Sequence, residues 1–156
     1  MVFEGKFQAI KEAVEKELSC SAHDLDHVMR VYNLCLYLAR NEAGVNGAGV
    51  DVDIEVLKAA ALLHDIARVR EDRDGSGSID HAVLGARMAE EILVDMDYPG
   101  EKVEQVKHCI RSHRFRGGNE PQTIEAKILF DADKLDAMGA VGVARFFMVA
   151  GEYGEK

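Results

Sequence analysis

LKAAALLHDIA, residues 57–67, decides how this chain is read. Ile54, Leu57, Ala61 and Asp65 recur at helical spacing and share one face, Asp51 or Asp53 can cap the start, and His64 lies about 100° round the axis from Asp65. An ion near the edge of that face is within reach of both. A His-Asp doublet by itself is weak, because two adjacent residues recur by chance. Its weight comes from the helix around it and from two distant partners, His27 and Asp133, in segments that read as two further helices. Two imidazoles and two carboxylates form a mixed nitrogen and oxygen set of the kind that hydrolytic divalent metals take.

Outward from that stretch, apolar residues recur at three and four spacing almost throughout, and no segment of useful length alternates as a strand does. The expectation is an all-α bundle of about six or seven helices with a central metal site. The first helix covers about 3–18, with Phe7, Ile10, Val14 and Leu18 on one face, and Ser19 to Ser21 break it. A second, about 22–43, lines up His27, Val31, Leu34 and Leu38 and ends at Gly44. GVNGAGVD, 44–51, reads as a flexible loop and not a phosphate cradle, since no GK[ST] follows. RVREDRDGSGSI, 68–79, is charged and Gly/Ser-rich and reads as a mobile lid beside the His-Asp pair. His81 opens a fourth helix through about Met96, Pro99 and Gly100 precede a fifth ending near His113, and Thr123 caps a sixth through about Met138. Gly139 and Gly142 are expected to interrupt it before a short last helix around 143–150.

At 156 residues the chain suits one domain, 1–156, that buries about two thirds of its unfolded surface. Cys20, Cys35 and Cys109 are odd in number and show no CxxC spacing, so each reads as a small core residue in a reducing cytoplasm. The opening stretch is charged at helical intervals and no eighteen apolar residues run together, so neither a signal peptide nor a membrane span is expected. Lys and Arg number 19 against 28 Asp and Glu, and the net charge of −9 repels a polyanion, which argues against a nucleic-acid polymer as partner. Locally the balance reverses. KHCIRSHRFR, 107–116, carries Lys107, Arg111, Arg114 and Arg116 with no acid. That run reads either as a solvated helix end or as a patch for a small phosphorylated ligand.

Five strings carry a family resemblance: AHDLDHVMRVYNLCLYLA (22–39), LKAAALLHDIA (57–67), HAVLGARMAEEIL (81–93), IRSH (110–113) and AKILFDADKLDAMGAVGVARF (126–146). In order and spacing they resemble the blocks of the HD-domain metal-dependent phosphohydrolases, and most of all the stand-alone bacterial and archaeal hydrolases whose last block reads DADKLDAxGAxGxAR. The resemblance covers about residues 20–147. It implies an all-α bundle with His27, His64, Asp65 and Asp133 as metal ligands, and hydrolysis of a phosphoester or phosphoanhydride. For some members it implies pyrophosphohydrolysis of nucleoside triphosphates. Relatives of this type continue past the last block into further helices, whereas this chain stops at Lys156, as either a shorter variant or a truncated chain would.

His81 and His113 match positions that hold a second ion in binuclear members and face the substrate phosphate in mononuclear ones. Here one divalent ion per chain is expected (Mn, Fe, Ni, Co or Mg), with Asp65, His81 and His113 as catalytic groups. Arg68, Arg114, Arg116 and Lys134 are the expected phosphate-binding residues of a small phosphorylated substrate, a nucleotide. Asp131 and Asp136 read as surface charge or as acceptors behind a ligand imidazole, and Arg30 and Arg145 read at least equally as their ion-pair partners. His23 and His108 read as structural, and Gly85, Gly139 and Gly142 as close helix contacts. Two other classes stay open: a binuclear iron oxygenase of the HD type, and a non-catalytic metal or nucleotide sensor.

Overall fold

The computed structural model describes residues 2–18, 25–45, 51–114 and 118–154. Among these residues there are eight helices and no strand: α1 Val2–Leu18, α2 Leu25–Val45, α3 Ile54–Leu63, α4 Arg68–Asp72, α5 His81–Asp95, α6 Gly100–Ser112, α7 Ile124–Asp136 and α8 Gly139–Tyr153. Cys20 and His23 lie outside the described residues, as do residues 46–50 of the loop expected at 44–51, whose Gly44 and Val45 belong to α2.

The axis of the molecule is α3. Val56, Leu57 and the run Ala59 to Leu63 are all buried, so this helix is covered on every side, as an all-round apolar helix has to be. It packs against α1, α2, α6 and α7, and the three alanines let those helices come close. The Asp53 carboxylate caps it by accepting from the amides of Glu55 (3.0 Å) and Val56 (3.1 Å). Past Leu63 the chain tightens, with the Ile66 amide on the Leu63 carbonyl at 3.2 Å and the Arg68 amide on the Asp65 carbonyl at 2.9 Å. This turn keeps His64, Asp65, Ile66 and Ala67 buried and ends α3 within the core. Asp80 caps α5 and Thr123 caps α7 in the same manner as Asp53, which fixes where His81 begins its helix.

Cys35 and Cys109 are buried and unpaired, and burial pushes both thiols up, Cys109 to about 12, in keeping with their reading as core residues. Gly85 is a close contact between α5 and its neighbours: a Cβ there would stand 3.6–3.7 Å from Ile110, Ile66 and the His64 carbonyl.

Two expectations change. Residues 68–79 are not an untethered lid. They begin with the one-turn α4, and the Asp74 carboxylate then gathers the amides of Ser76 (3.1 Å), Ser78 (2.8 Å) and Ile79 (2.8 Å), so the acid that made the stretch look mobile organises it. The last helix also starts earlier and runs longer than expected, from Gly139 in the left-handed region (φ 74°) to Tyr153. Gly142 sits inside it and does not break it, because a Cβ there would collide with the Ala137 carbonyl at the end of α7. Beyond Arg145, α8 exposes Phe146, Phe147 and Met148.

Burial pushes the Asp53 carboxyl up, but the Val56 and Glu55 amides and Lys102 outweigh it and hold the group below its usual value. A carboxyl held low stabilises the fold when ionised. Asp53→Ala is therefore expected to cost about 1 kcal/mol at neutral pH, with the difference from the parent shrinking as pH falls below about 4, where the unfolded carboxyl protonates. Denaturant unfolding at pH 7 and pH 3 measures both values.

Candidate metal centre

Six side chains converge where α3 ends. His27 comes from α2, His64 and Asp65 from the turn after α3, His81 from the first position of α5, His113 from the residue after α6, and Asp133 from the last turn of α7. The four histidines and Asp65 are buried, and Asp133 is partly open to solvent. The imidazoles form a row, His27, His64, His113, His81, with successive ring centres 5.4, 5.2 and 5.2 Å apart.

Asp65 sits in the middle of that row and its two oxygens face opposite ways. Oδ2 lies 3.5 Å from His27 Nε2 and 3.8 Å from His64 Nε2, whereas Oδ1 lies 3.5 Å from both His81 Nε2 and His113 Nε2. Asp133 Oδ1 joins the first pair at 3.5 Å from His27 Nε2 and 4.0 Å from His64 Nε2. The residues thus form two ligand groups that share one carboxylate, His27, His64 and Asp65 on one side and His81, His113 and Asp65 on the other. The four ligands expected from sequence are brought together, and both remaining site histidines join them.

The back of each ring is engaged. His27 Nδ1 lies 2.7 Å from Asp136 Oδ2 and His81 Nδ1 2.7 Å from Glu71 Oε2. His64 Nδ1 meets the Ala61 carbonyl at 2.8 Å, and His113 Nδ1 the Ile110 carbonyl at 2.6 Å. The Arg145 guanidinium also lies 2.9 Å from His27 Nδ1 and that of Arg68 3.3 Å from His81 Nδ1, but the carboxylate contact is the shorter at each. Every Nδ1 thus has an acceptor as its nearest partner, carries a proton, and leaves each neutral ring with an Nε2 lone pair turned inward. His27 and His64 Nε2 then face each other at 3.4 Å, and His81 and His113 Nε2 at 3.3 Å. Lone pairs at that separation with carboxylate oxygens beside them need a cation between them. The donor set therefore fits a divalent metal.

The electrostatics agree. Burial depresses His64 to about 4, so it is a neutral ligand at pH 7, and burial lowers His81 as well. Burial also opposes ionisation of Asp65, but His64, His113 and His27 outweigh it and keep the carboxyl well below the usual range. In His27 and His113 the bond to Asp65 overcomes burial and raises the imidazole, so protons compete with a metal for those two nitrogens.

Around this centre, Lys134 Nζ lies 2.8 Å from Asp133 Oδ2 and 2.8 Å from the His113 carbonyl. Arg68 pairs with Glu71 and Asp72, and Arg114 with Glu71 and Asp80. Three of the four expected phosphate-binding residues thus stand at the rim, each already in contact with carboxylates. Arg116 lies outside the described residues. His108 is remote, with its Nε2 accepting from the Gln122 amide, and Asp131 is exposed. Asp136 takes the role of acceptor behind a ligand: besides His27 it holds Arg30 at 2.7 Å and Arg145 at 2.8 Å. Sequence reasoning missed Glu71. It lies ten residues before His81 in a stretch that looked unstructured, and no helical spacing links the two. The Nδ1 bonds of His64 and His113 had a usable signal, since both residues end a helix and return to the carbonyl three residues back.

The sequence profile of the HD domain matches residues 24–138, which takes in all six of the converging side chains. The chain belongs to the HD domain family. It is 36% identical over 138 residues to YpgQ of Bacillus subtilis, which covers 86% of this chain and 60% of YpgQ. The crystal structure of that protein in complex with ADP superposes with a TM-score of 0.74 at 29% identity, over 100% of this chain and 71% of YpgQ. A predicted HD superfamily hydrolase from an uncultured Thermotogales bacterium gives 0.70 at 36% identity, over 94% of this chain and 74% of that one. Ribonuclease Y of Desulforamulus reducens is 34% identical over 95 residues, 61% of this chain but 16% of the ribonuclease. Among the described residues no helix is long and apolar enough to cross a membrane.

Because Asp136 holds the Nδ1 proton of His27, Asp136→Ala is expected to weaken metal binding by about 10- to 100-fold, while Asp131→Ala leaves it unchanged. Competition with a chromophoric chelator on the purified proteins reads the difference.

Proposed function

We propose that this HD domain is a metal-dependent phosphohydrolase acting on a small phosphorylated substrate, a nucleotide. One observation carries the proposal: a buried ring of inward-facing Nε2 atoms and carboxylates with Lys134, Arg68 and Arg114 at its rim. The ADP complex of YpgQ supports a nucleotide as the ligand. The net charge of −9 favours a small anion over a nucleic-acid polymer. Two buried, unpaired cysteines fit a reducing cytoplasm.

His27, His64, Asp65 and Asp133 would hold one divalent ion, Mn, Fe, Ni, Co or Mg. Such an ion, when bound, lowers the pKa of its water to give a nucleophile at neutral pH and neutralises phosphoryl charge. The chain's own groups do the rest. Asp65, buried and ionised, is the acceptor nearest the inner face of all four rings. His81 and His113 present Nε2 beside it, where a ring that takes up a proton at Nε2 donates to a phosphate oxygen or passes that proton to the leaving group. Lys134, Arg114 and Arg68, joined by Arg116, bind the remaining phosphate oxygens by exchanging a carboxylate for the substrate.

A second reading is favoured by the Asp65 geometry itself. A carboxylate with one oxygen toward each group is placed to bridge two ions, with His81 and His113 holding the second. That arrangement also serves a binuclear iron oxygenase. Elemental analysis of the purified protein separates the readings, since the first requires one transition metal per chain and the second two.

Release of phosphate or pyrophosphate from a nucleotide panel with Mn, Co, Ni or Mg tests the function. Activity is expected to vanish with chelator, to return with added metal, and to fall by at least about a hundredfold in Asp133→Ala. Release that persists through exhaustive chelation contradicts the proposal. Each charge-assisted bond to phosphate contributes about 1.5–3 kcal/mol, so Arg114→Ala combined with Arg116→Ala is expected to raise KM about tenfold or more. An unchanged KM removes both arginines from the site.

A further inference from the structure

Glu71 makes more contacts at the rim than any role so far given to it requires. It stands in the one-turn α4 with its side chain largely buried. Oε2 lies 2.7 Å from His81 Nδ1 and 3.3 Å from Arg68 Nη1, and Oε1 accepts from Arg114 Nη1 at 2.9 Å and from the His81 amide at 3.3 Å. His81 Nδ1 has a second neighbour, Arg68 Nη1, at 3.3 Å. The two neighbours ask for opposite tautomers: a guanidinium donates, so it needs a lone pair on Nδ1, whereas a carboxylate needs a proton there. The shorter contact and the full charge of the acceptor decide for Glu71. Arg68 then bonds the same carboxylate oxygen and only passes near the ring. The Asp136 side of the centre has the same design, where Oδ2 takes the His27 Nδ1 proton at 2.7 Å and holds Arg145 at 2.8 Å.

We infer that Glu71 is a positioning residue of the phosphate half of the site: its carboxylate fixes His81 with Nδ1 protonated and Nε2 toward Asp65, and it holds Arg114 at the rim until an anion takes it. The first half of this statement rests on the ring geometry alone, and the second rests on the phosphohydrolase reading. Glu71 thus has two opposed effects. It keeps His81 in the one tautomer whose inner nitrogen is free to accept, and it competes with the incoming phosphate for Arg114.

The test uses the metal-free protein labelled with 15N-histidine, at pH 8 where His81 is neutral, with His81→Gln to assign its signals. Two-bond proton–nitrogen correlations distinguish the tautomers. The parent is expected to show His81 as the Nδ1–H form, Glu71→Ala to move it to the Nε2–H form, and Glu71→Gln to restore Nδ1–H because an amide oxygen still accepts. His27 is expected to keep its tautomer in all three proteins, which a general loss of structure would not allow. Titration with pyrophosphate, followed on the same signals, is expected to show binding about two- to fivefold tighter in Glu71→Gln than in the parent, the size of one weak rim ion pair removed from competition while Asp80 still holds Arg114. A parent already in the Nε2–H form, or an unmoved tautomer in Glu71→Ala, overturns the positioning role. Should Glu71→Ala fail to fold, Glu71→Gln decides: equal or weaker pyrophosphate binding overturns the proposal, and tighter binding supports it. A parent protein that hydrolyses nothing would sink the phosphohydrolase reading and leave the tautomer result standing.

Discussion

A single buried carboxylate organises this protein. Asp65 is ionised inside the core, where an uncompensated charge costs several kcal/mol. Four imidazoles surround it, arriving from α2, from the end of α3, from the start of α5 and from the end of α6. With each ring neutral and its Nε2 lone pair turned inward, they do not neutralise the carboxylate, and the compensation it calls for is a cation among them. The turn after Leu63 keeps His64 and Asp65 buried together, with His64 Nε2 3.8 Å from Asp65 Oδ2.

Outside that ring lies a layer of acceptors, one for each Nδ1. The inner two rings, His64 and His113, use main-chain carbonyls of their own helices, which cannot move without unwinding the helix. The outer two, His27 and His81, use side-chain carboxylates that are themselves held by arginines: Asp136 by Arg30 and Arg145, Glu71 by Arg68 and Arg114. Geometry is therefore stiffest in the middle of the row and adjustable at its two ends. The adjustable end at His81 coincides with the rim cations, where an anionic ligand would enter. The other end ties α2, α7 and α8 together through Asp136, which makes this carboxylate a structural joint as well as a partner of the centre.

How far the sequence could be read depended on whether an interaction follows helical spacing. The all-α class, the course of α1, α2, α5, α6 and α7, and the caps Asp53 and Thr123 were legible because each is written within one or two turns of chain. The four residues expected as ligands, His27, His64, Asp65 and Asp133, could be picked out as donor-bearing positions on three helical segments, and the structure brings them together. Residues 68–79 were misread for a physical reason. Glycine, serine and aspartate mark both mobile loops and turns pinned by an Asx carboxylate, and composition does not tell them apart; the bonds from Asp74 to the Ser78 and Ile79 amides do. For Gly142 the close helix contact was legible and the expected break was not: a Cβ there would collide with the Ala137 carbonyl at the end of α7, yet α8 runs through it unbroken.

By itself the sequence determined a helical bundle, a reduced-type core and a set of His and Asp residues fit for a divalent ion, all of which follow from local periodicity and donor chemistry. The tertiary structure alone decided that Asp65 turns one oxygen to each of two histidine pairs, that Glu71 stands behind His81, and that the rim arginines are already paired with acids. Those are relations between side chains tens of residues apart, set by where helix ends meet in space, and no pattern along one helix encodes the distance between the ends of two.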